Sequence, residues 1–566
     1  MHTSPKNHDC SAGISVLTVA FLAGASLLVL AAVLSWSTSN TRFTQRQNQY
    51  LGSVTVAEAA TEKVIARISR DFMATGEPEV YNSLASYRLL LPTGDSVWSK
   101  FEFSNAQGNA NQLYVDRLAS WSYSPLQTRI PGISGNTATY RIIANARELN
   151  TPYNSIAAVR QDVQVASIPI FQYLYFYNLD FELNPVSAMT ISGPVHCNST
   201  IYLEPDTVNL TFQFPVTSAR KIIHDNSPND PEVRTFGSVT YNVGRDMRVN
   251  TLNLPLGTSN SSSVLHGLIE IPPTGESTNS LMGMQRYYNK ADLIVLVSNN
   301  TVVGKSGAYN NFSVTIPWTN INLFLNTNAS FFDKRANLTV RATEINIGDF
   351  INQYTTLTTL LGRNPKLLYV ADLRTQDSWT ISGVRLINGQ TLPSAGLTVA
   401  TFNPLYVKGH YNAPSGNLGT TNTSGTAPAS LVADAITIFS VDWADQNGSS
   451  DLSARKASST TVNAGVIAGI VPSGGGYYSG GVENYLRLLE NWSDDTLTFN
   501  GSIVALFSSQ IATAPWGASS EVYIPPTRKL SLDWNFKNPA KLPPGTPELR
   551  TLIRSQWAMI PPNSIQ

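Results

Sequence analysis

The sequence predicts a mainly β protein with a long N-terminal α-helix: a single transmembrane helix continuing into a stalk, a small antiparallel sheet, then a large β-rich body. Three observations carry this expectation. Residues 14–36, from Ile14 to Trp36, form an uninterrupted apolar run without charge or proline. An apolar stripe at helical spacing continues beyond that run as far as Phe72. From Glu79 onward the helical period gives way to short segments of β-branched and aromatic residues, broken by Gly, Pro and Asn.

The apolar run comes first in the chain. As a helix its 23 residues rise about 35 Å, enough to cross a hydrocarbon core of roughly 30 Å. No charge lies between Asp9 and Arg42. A cleavable signal peptide has a shorter apolar region, about 7–15 residues, followed by a small-residue cleavage site. A buried core helix would need comparably apolar partners, and no other segment is as apolar. Residues 14–36 are therefore expected to anchor the chain in a membrane. Beyond them, Leu51, Val54, Ala57, Val64, Ile65, Ile68 and Phe72 recur at three- and four-residue steps, with Arg46, Gln47, Glu58, Glu62, Lys63 and Arg67 on the opposite face. Gly52 is the expected weak point, and Gly76 followed by Pro78 the expected stop.

Residues 99–103, 139–149 and 157–168 read as strands of a small antiparallel sheet able to receive the stripe. The aromatic run Phe171–Tyr177 reads as a core or edge strand, with a sugar-stacking platform as the alternative. Later segments repeat an alternating apolar strand beside small residues, centred near Val407, Ile438, Ala468 and Ala505, at separations of 31, 30 and 37 residues. Such spacing suits a β-solenoid-like body, with a β-sandwich as the alternative. Residues 250–283 and 411–428 read as exposed excursions, 478–492 as the one helix of the second half, and the proline-rich 537–550 as an extended wrap. The expected divisions are 1–76, 77–167, 168–350 and 351–566.

Composition narrows the function. The 566 residues carry 38 basic and 38 acidic side chains, and charged residues make up only 13 %, about half the ~25 % of ordinary soluble domains. No clustered basic face exists to hold nucleic acid. The cysteines, Cys10 and Cys197, fall on opposite sides of the expected span and cannot pair. No phosphate loop, nucleophile elbow, paired-cysteine zinc pattern or zincin helix occurs. His196 beside Cys197 lacks further ligands at a recognised spacing. Asp442, Asp445, Asn447 and Asp451 make an oxygen-rich loop with Gly448, but the first acid and closing Glu of an EF-hand are missing. Glu483 and Glu490, seven apart, would share one face of the expected helix; with Asp434 and Asp442 they are the carboxylates from which a glycosidase cleft could be built. The expectation is no catalytic, cofactor or metal residue.

The N-terminal seventy residues resemble PilX-type minor pilins, through Gly13-Ile14-Ser15-Val16-Leu17-Thr18 and Ala57-Glu58-Ala59-Ala60-Thr61-Glu62. The remainder resembles large bacterial envelope proteins with the same N-terminus, through residues 168–185, 191–203, 287–295, 331–335, 343–348, 368–374, 396–412 and 480–492. The resemblance implies a single-pass inner-membrane protein with a cytoplasmic N-terminus, a body in the periplasm or at the cell surface, and pilin-like subunits or assembly proteins as partners. The family's cleavage site would fall after Gly13. Major pilins carry Glu at the fifth position after that glycine, where it neutralises a neighbour's amino terminus; here the position is Thr18. This departure favours a tip, assembly or tethered component over a repeating subunit. The leading expectation is a non-enzymatic envelope protein for pilus assembly or surface adhesion. The alternatives are a membrane-tethered polysaccharide-active enzyme on a β-helix and a calcium-stabilised adhesive module.

Overall fold

The computed structural model describes residues 11–94, 96–127, 132–309, 313–517 and 522–565; Cys10 lies outside them. One unbroken helix, α1, runs from Ser11 to Thr75. It passes through Gly52 without interruption, so the cost of about 1 kcal/mol for glycine in a helix interior is offset by the turns on either side. It ends where expected. Gly76 takes φ 96°, and Pro78 falls in the first turn of the short helix Glu77–Asn82.

A sheet receives the second half of the helix along one face. The strands Phe101–Ser104 (β1), Tyr114–Pro125 (β2), Ser134–Glu148 (β3) and Ile156–Pro169 (β4) form an antiparallel sheet in which β1 and β2 both pair with β3, and β3 pairs with β4. The last long strand, Glu548–Ile560 (β5), closes the free edge of β4. Val54, Ala57, Ala60, Val64, Ile65, Ile68 and Phe72 are buried against Ala138, Tyr140, Ile142, Val159, Val163 and Val165 of this sheet. Leu51 of the expected stripe remains 51 % exposed because it precedes the first buried helix residues. The expected tail 537–550 is more ordered than an extended wrap: two short 3-10 turns, Trp534–Lys537 and Pro539–Lys541, lead into β5.

β5 also fastens the helix end. The Arg550 guanidinium donates to the carbonyls of Phe72 and Met73 at 3.0 and 3.1 Å, adding a second bond at Phe72, which already accepts the Gly76 amide, and supplying a donor to Met73 in the last turn. Arg554 pairs with Glu62, and the buried Gln161 side chain donates to Thr61 Oγ1 and Glu62 Oε1 at 2.9 and 2.8 Å. Chain beginning and chain end thus meet on one sheet.

Most strands of the body are parallel, and the central ones are buried on both faces, which explains their near-continuous apolar runs. Its longest sheet orders Leu293–Val297, Leu367–Asp372, Leu397–Ala400, Ala429–Ala433, Thr460–Ile470, Thr496–Ser508, Tyr175–Tyr177, Val195–Cys197, Val216–Ser218 and Arg245–Met247 side by side, all parallel. Residue numbers rise along the sheet to 508, fall to 175, and rise again to 247. The chain therefore enters mid-stack, builds to one end, crosses to the other and builds back until Thr496–Ser508 meets Tyr175–Tyr177. The crossing segment, 248–292, carries Leu252, Leu254, Leu256, Leu265, Leu268 and Ile269, all buried on the outer face of the sheet. The expected excursion 250–283 is thus a packed strap, whereas the middle of 411–428 is exposed.

Other strands of the same turns form a second sheet, from Leu325–Asp333 through Leu338–Asn346, Thr380–Ile387, Leu405–Lys408 and Ile436–Phe439 to Leu486–Arg487. Val407 is the register partner of Ile438, and Ala468 of Ala505. Buried asparagines link neighbouring turns: Asn412 and Asn463 each donate to the other's carbonyl, at 2.9 and 2.8 Å, and Asn500 donates to Asn463 Oδ1 at 2.8 Å. Helix Ile347–Leu361, capped by the Asn346 side chain, buries Ile347, Phe350, Leu357 and Leu361 on the interior. The expected helix 478–492 is absent. Val482–Asn484 is a 3-10 turn and Leu486–Arg487 a strand, because residues 484–490 are buried without a break and leave no exposed face for an amphipathic helix.

Ile68→Ala should destabilise the helix–sheet unit by about 2–5 kcal/mol, the range for truncating a fully buried isoleucine. Leu51→Ala should change stability by less than about 0.5 kcal/mol. Thermal unfolding of the full chain in detergent checks both.

Candidate functional site

The membrane-competent face is the first half of α1. Every large apolar side chain from Val16 to Trp36 is 52–80 % exposed, and one helix of the described residues is long and apolar enough to cross a membrane. The first fully buried helix residue is Ser53, 17 positions beyond Trp36. At 1.5 Å per residue this leaves a helical neck of about 25 Å between the apolar run and the sheet. Its exposed residues include Arg42, Arg46 and Gln47, side chains suited to water beside a bilayer.

The four carboxylates singled out in the sequence do not share one site, although Asp442 lies near enough to Glu490 to act on its charge. Asp434 is fully buried; it accepts from the backbone of Gln510 and Ala512 at 2.6 and 2.7 Å and sits 3.1 Å from His266 Nε2. Glu490 is bound through the Ser440 amide and hydroxyl at 2.7 and 2.6 Å. Glu483 has its carboxylate buried beside Tyr175 and Tyr478, and Asp442 is exposed. With the helix 478–492 absent, nothing sets Glu483 and Glu490 on one face.

The oxygen-rich loop is likewise committed to protein partners. Asp445 forms a two-point ion pair with Arg385 at 2.6 and 3.0 Å and accepts from Trp443 Nε1. Among the described residues no three His, Cys, Asp or Glu side chains form a metal-holding group. His196 lies in the strand Val195–Cys197, 2.9 Å from Thr217 Oγ1 and 3.0 Å from Asn198 Oδ1. Burial lowers its pKa to about 4, which keeps the imidazole neutral. The Cys197 thiol is buried and donates to the Leu179 carbonyl, and burial pushes its pKa up. The run Phe171–Tyr177 is buried throughout, which makes it core and removes the stacking-platform alternative. A cavity of about 690 Å³ opens between the antiparallel sheet and the end of the body at 243–252, lined by Ile168, Tyr173, His196, Arg245, Leu252 and Arg554.

Burial raises both Glu483 and Glu490 to about 7. Unfolded glutamates titrate near ~4.3, so the folded chain holds these protons more tightly. The stability they contribute is complete below about pH 4.3 and is lost as pH rises toward about 7. His266, desolvated by burial yet held charged by Asp434 and Glu270, is raised to about 8; its contribution is lost as pH passes from about 6.5 through about 8. His196, lowered to about 4, works the other way and adds stability as pH rises from about 4 to about 6.5, so the net fall in melting temperature should lie between about pH 6.5 and 8. Glu483→Gln should flatten the part of that fall below pH 7, measured by calorimetry across the pH series.

No protein-family model matches the chain, and no curated protein matches it. Among solved structures, the competence-associated pilin ComZ from Thermus thermophilus aligns over 90 % of this chain and 97 % of its own, at 9 % identity and a TM-score of 0.31. An overlap that small assigns neither fold nor function to this chain.

Proposed function

We propose that this chain is a non-enzymatic envelope protein with a pilin-like N-terminus, held in the inner membrane by residues 14–36 with its N-terminus in the cytoplasm. It displays the β-rich body in the periplasm or at the cell surface, for pilus assembly or surface adhesion. The observation that carries the reading is the continuity of α1: apolar and exposed in its first half, clamped by a sheet in its second, with no break between. A helix built this way fixes the distance and direction of whatever it carries relative to the bilayer. The PilX-type resemblance of the first seventy residues supports the pilin-like part of the reading, and Thr18 in place of the filament glutamate supports a tip, assembly or tethered role over that of a repeating subunit.

We further read the body as a β-solenoid. Parallel register, strands donated in turn to successive sheets, and the asparagine ladder 412–463–500 all support this. On this reading residues 1–76 are anchor and stalk, and 77–167 with β5 are the stalk-bearing sheet. Residues 168–350 and 351–566 work as one stack, because their strands share a sheet.

The anchoring test is extraction. Wild-type chain should stay with membranes through alkaline carbonate. A double Leu27→Arg, Leu28→Arg variant, which places two charges in the apolar run at about 2.5–3.5 kcal/mol each, should move to the soluble fraction. Recovery of the wild type as freely soluble protein would overturn the reading. Orientation is tested by Thr421→Cys on the exposed loop. A membrane-impermeant maleimide should label that residue on intact spheroplasts while Cys10 stays unlabelled until the cells are lysed.

A further inference from the structure

The first strands of the body and its last turns enclose a second cavity, about 150 Å³, apart from the residues considered above. Two arginines line it, Arg335 from the turn after Leu325–Asp333 and Arg487 from Leu486–Arg487. Both hang from one neighbouring segment. Arg335 Nε donates to the Ala514 carbonyl at 3.1 Å, and Arg487 Nη2 to the Ala512 carbonyl at 2.7 Å. Among the described residues neither has a carboxylate within ion-pair distance, although most other buried arginines do: Arg234, Arg286, Arg374 and Arg385 are all paired. Arg335 Nη1 is buried without any hydrogen-bond partner. Neither guanidinium meets a carboxylate directly, and the nearby charges of Asp333 and Asp434 offset only part of the cost of burying them. Burial and the repulsion of Arg487 draw the pKa of Arg335 down to about 9, against the attraction of Asp333.

The acids of the same cavity are occupied elsewhere. Glu182 Oε2 accepts from Ser473 and Ser479 at 2.6 and 2.7 Å, and burial raises its pKa. Asp180 is exposed and accepts from Ser199 Oγ and the Thr200 amide. The remaining walls are mixed. Tyr177 Oη and Asn484 Oδ1 are buried without partners, Ser227 and Asn229 add polar groups, and Ile470, Val471 and Pro472 supply apolar surface.

The geometry points to a binding site for a small hydroxylated carboxylate, a single sugar-acid residue whose carboxylate meets Arg335 and Arg487. A planar guanidinium fork matches a carboxylate at two points. The unpartnered amide oxygen and phenol suit ring hydroxyls, and the apolar wall suits the C–H face of a ring. The volume lies below the ~300–1,000 Å³ of drug-sized pockets, which fits one residue rather than a chain. The site goes beyond the anchoring reading and does not depend on it. Because the lining comes from residues 177–229, from Arg335 and from 469–487, a bound acid would also bridge the mid-stack seam where the first strands of the body meet its last turns.

The test is calorimetric titration and thermal shift on the full chain in detergent, with sodium glucuronate, glucose and inorganic phosphate. Glucuronate should bind saturably and raise the melting temperature. Glucose should give no response, and phosphate should bind at least about tenfold more weakly. Arg335→Gln should weaken glucuronate binding by about tenfold or more, the loss expected from one charge-assisted contact, and Arg335→Lys should restore part of it. No glucuronate binding by the wild type, equal binding of phosphate (an adventitious ion only), or undiminished binding by a folded Arg335→Gln variant would each overturn the proposal. Should Arg335→Gln not fold, the wild-type preference for glucuronate over phosphate still decides.

Discussion

The hydrogen-bonded seam between Thr496–Ser508 and Tyr175–Tyr177 is the contact on which the body's architecture depends. Two strands more than 320 residues apart in sequence lie in parallel register there, Ile503 beside Tyr175 and Ala505 beside Tyr177. A sheet that starts in its middle has two growing edges, and one chain can build only one at a time. The strap 248–292 resolves this by carrying the chain from Arg245–Met247 at one end to Leu293–Val297 at the other. Its leucines then cover the outer side chains of the strands it passes, among them Phe176, Val504, Ile467, Val432 and Ile294. A connection demanded by topology thus also buries the second face, and a sheet covered on both faces can be apolar throughout. Long-range parallel pairing of this kind forms late and slowly, since loop closure must precede the contacts that reward it.

A comparable closure operates at the stalk. β5 completes the sheet that grips α1, so the stalk cannot be fully assembled until the C-terminal residues are in place. Arg550 on the helix end and Arg554 on Glu62 are the polar parts of that clamp. The last turn of α1 has no basic side chain of its own, and β5 supplies one from 478 residues away. The last-turn carbonyls of Phe72 and Met73 gain a charged donor, and the helix is fixed at its far end as well as along its face.

Much of this was legible in the sequence where one physical period dominates. The stripe from Val54 to Phe72 follows the helical period because one side meets a sheet, and the Gly76–Pro78 stop is local backbone chemistry. Leu51 misleads because a period shows which face is apolar but not where the partner sheet ends. The body was less legible, for a reason its strands make plain. Val407 pairs with Ile438 and Ala468 with Ala505, yet Ile438 and Ala468 lie on different sheets although their spacing is similar. Each turn donates strands to more than one sheet, so equal spacings do not separate partners from non-partners. The segment 478–492 imitates a helix because a stretch buried almost throughout carries apolar residues at helical as well as strand spacing. Arg335 and Arg487 gave no signal, since a lone arginine has no ligand spacing and its missing anion is visible only once burial and partners are known.

Stiffness follows from where the polar groups lie. In the body, amides and hydroxyls point inward and bond along the stack, as Asn412, Asn463 and Asn500 do. A buried amide ladder of this kind is satisfied only in one register, since a slip of one residue would leave each amide facing apolar neighbours without a partner. In the stalk, the neck is a bare helix only as far as Thr44: the Tyr153 hydroxyl donates to Gln45 Oε1 at 3.4 Å, and Tyr50 packs against the helix–sheet core. Bending should therefore concentrate in residues 37–44, which are exposed along their whole length. Gly52 lies past that span, at the edge of the clamp, where a residue that weakens the helix adds a second place for the body to tilt.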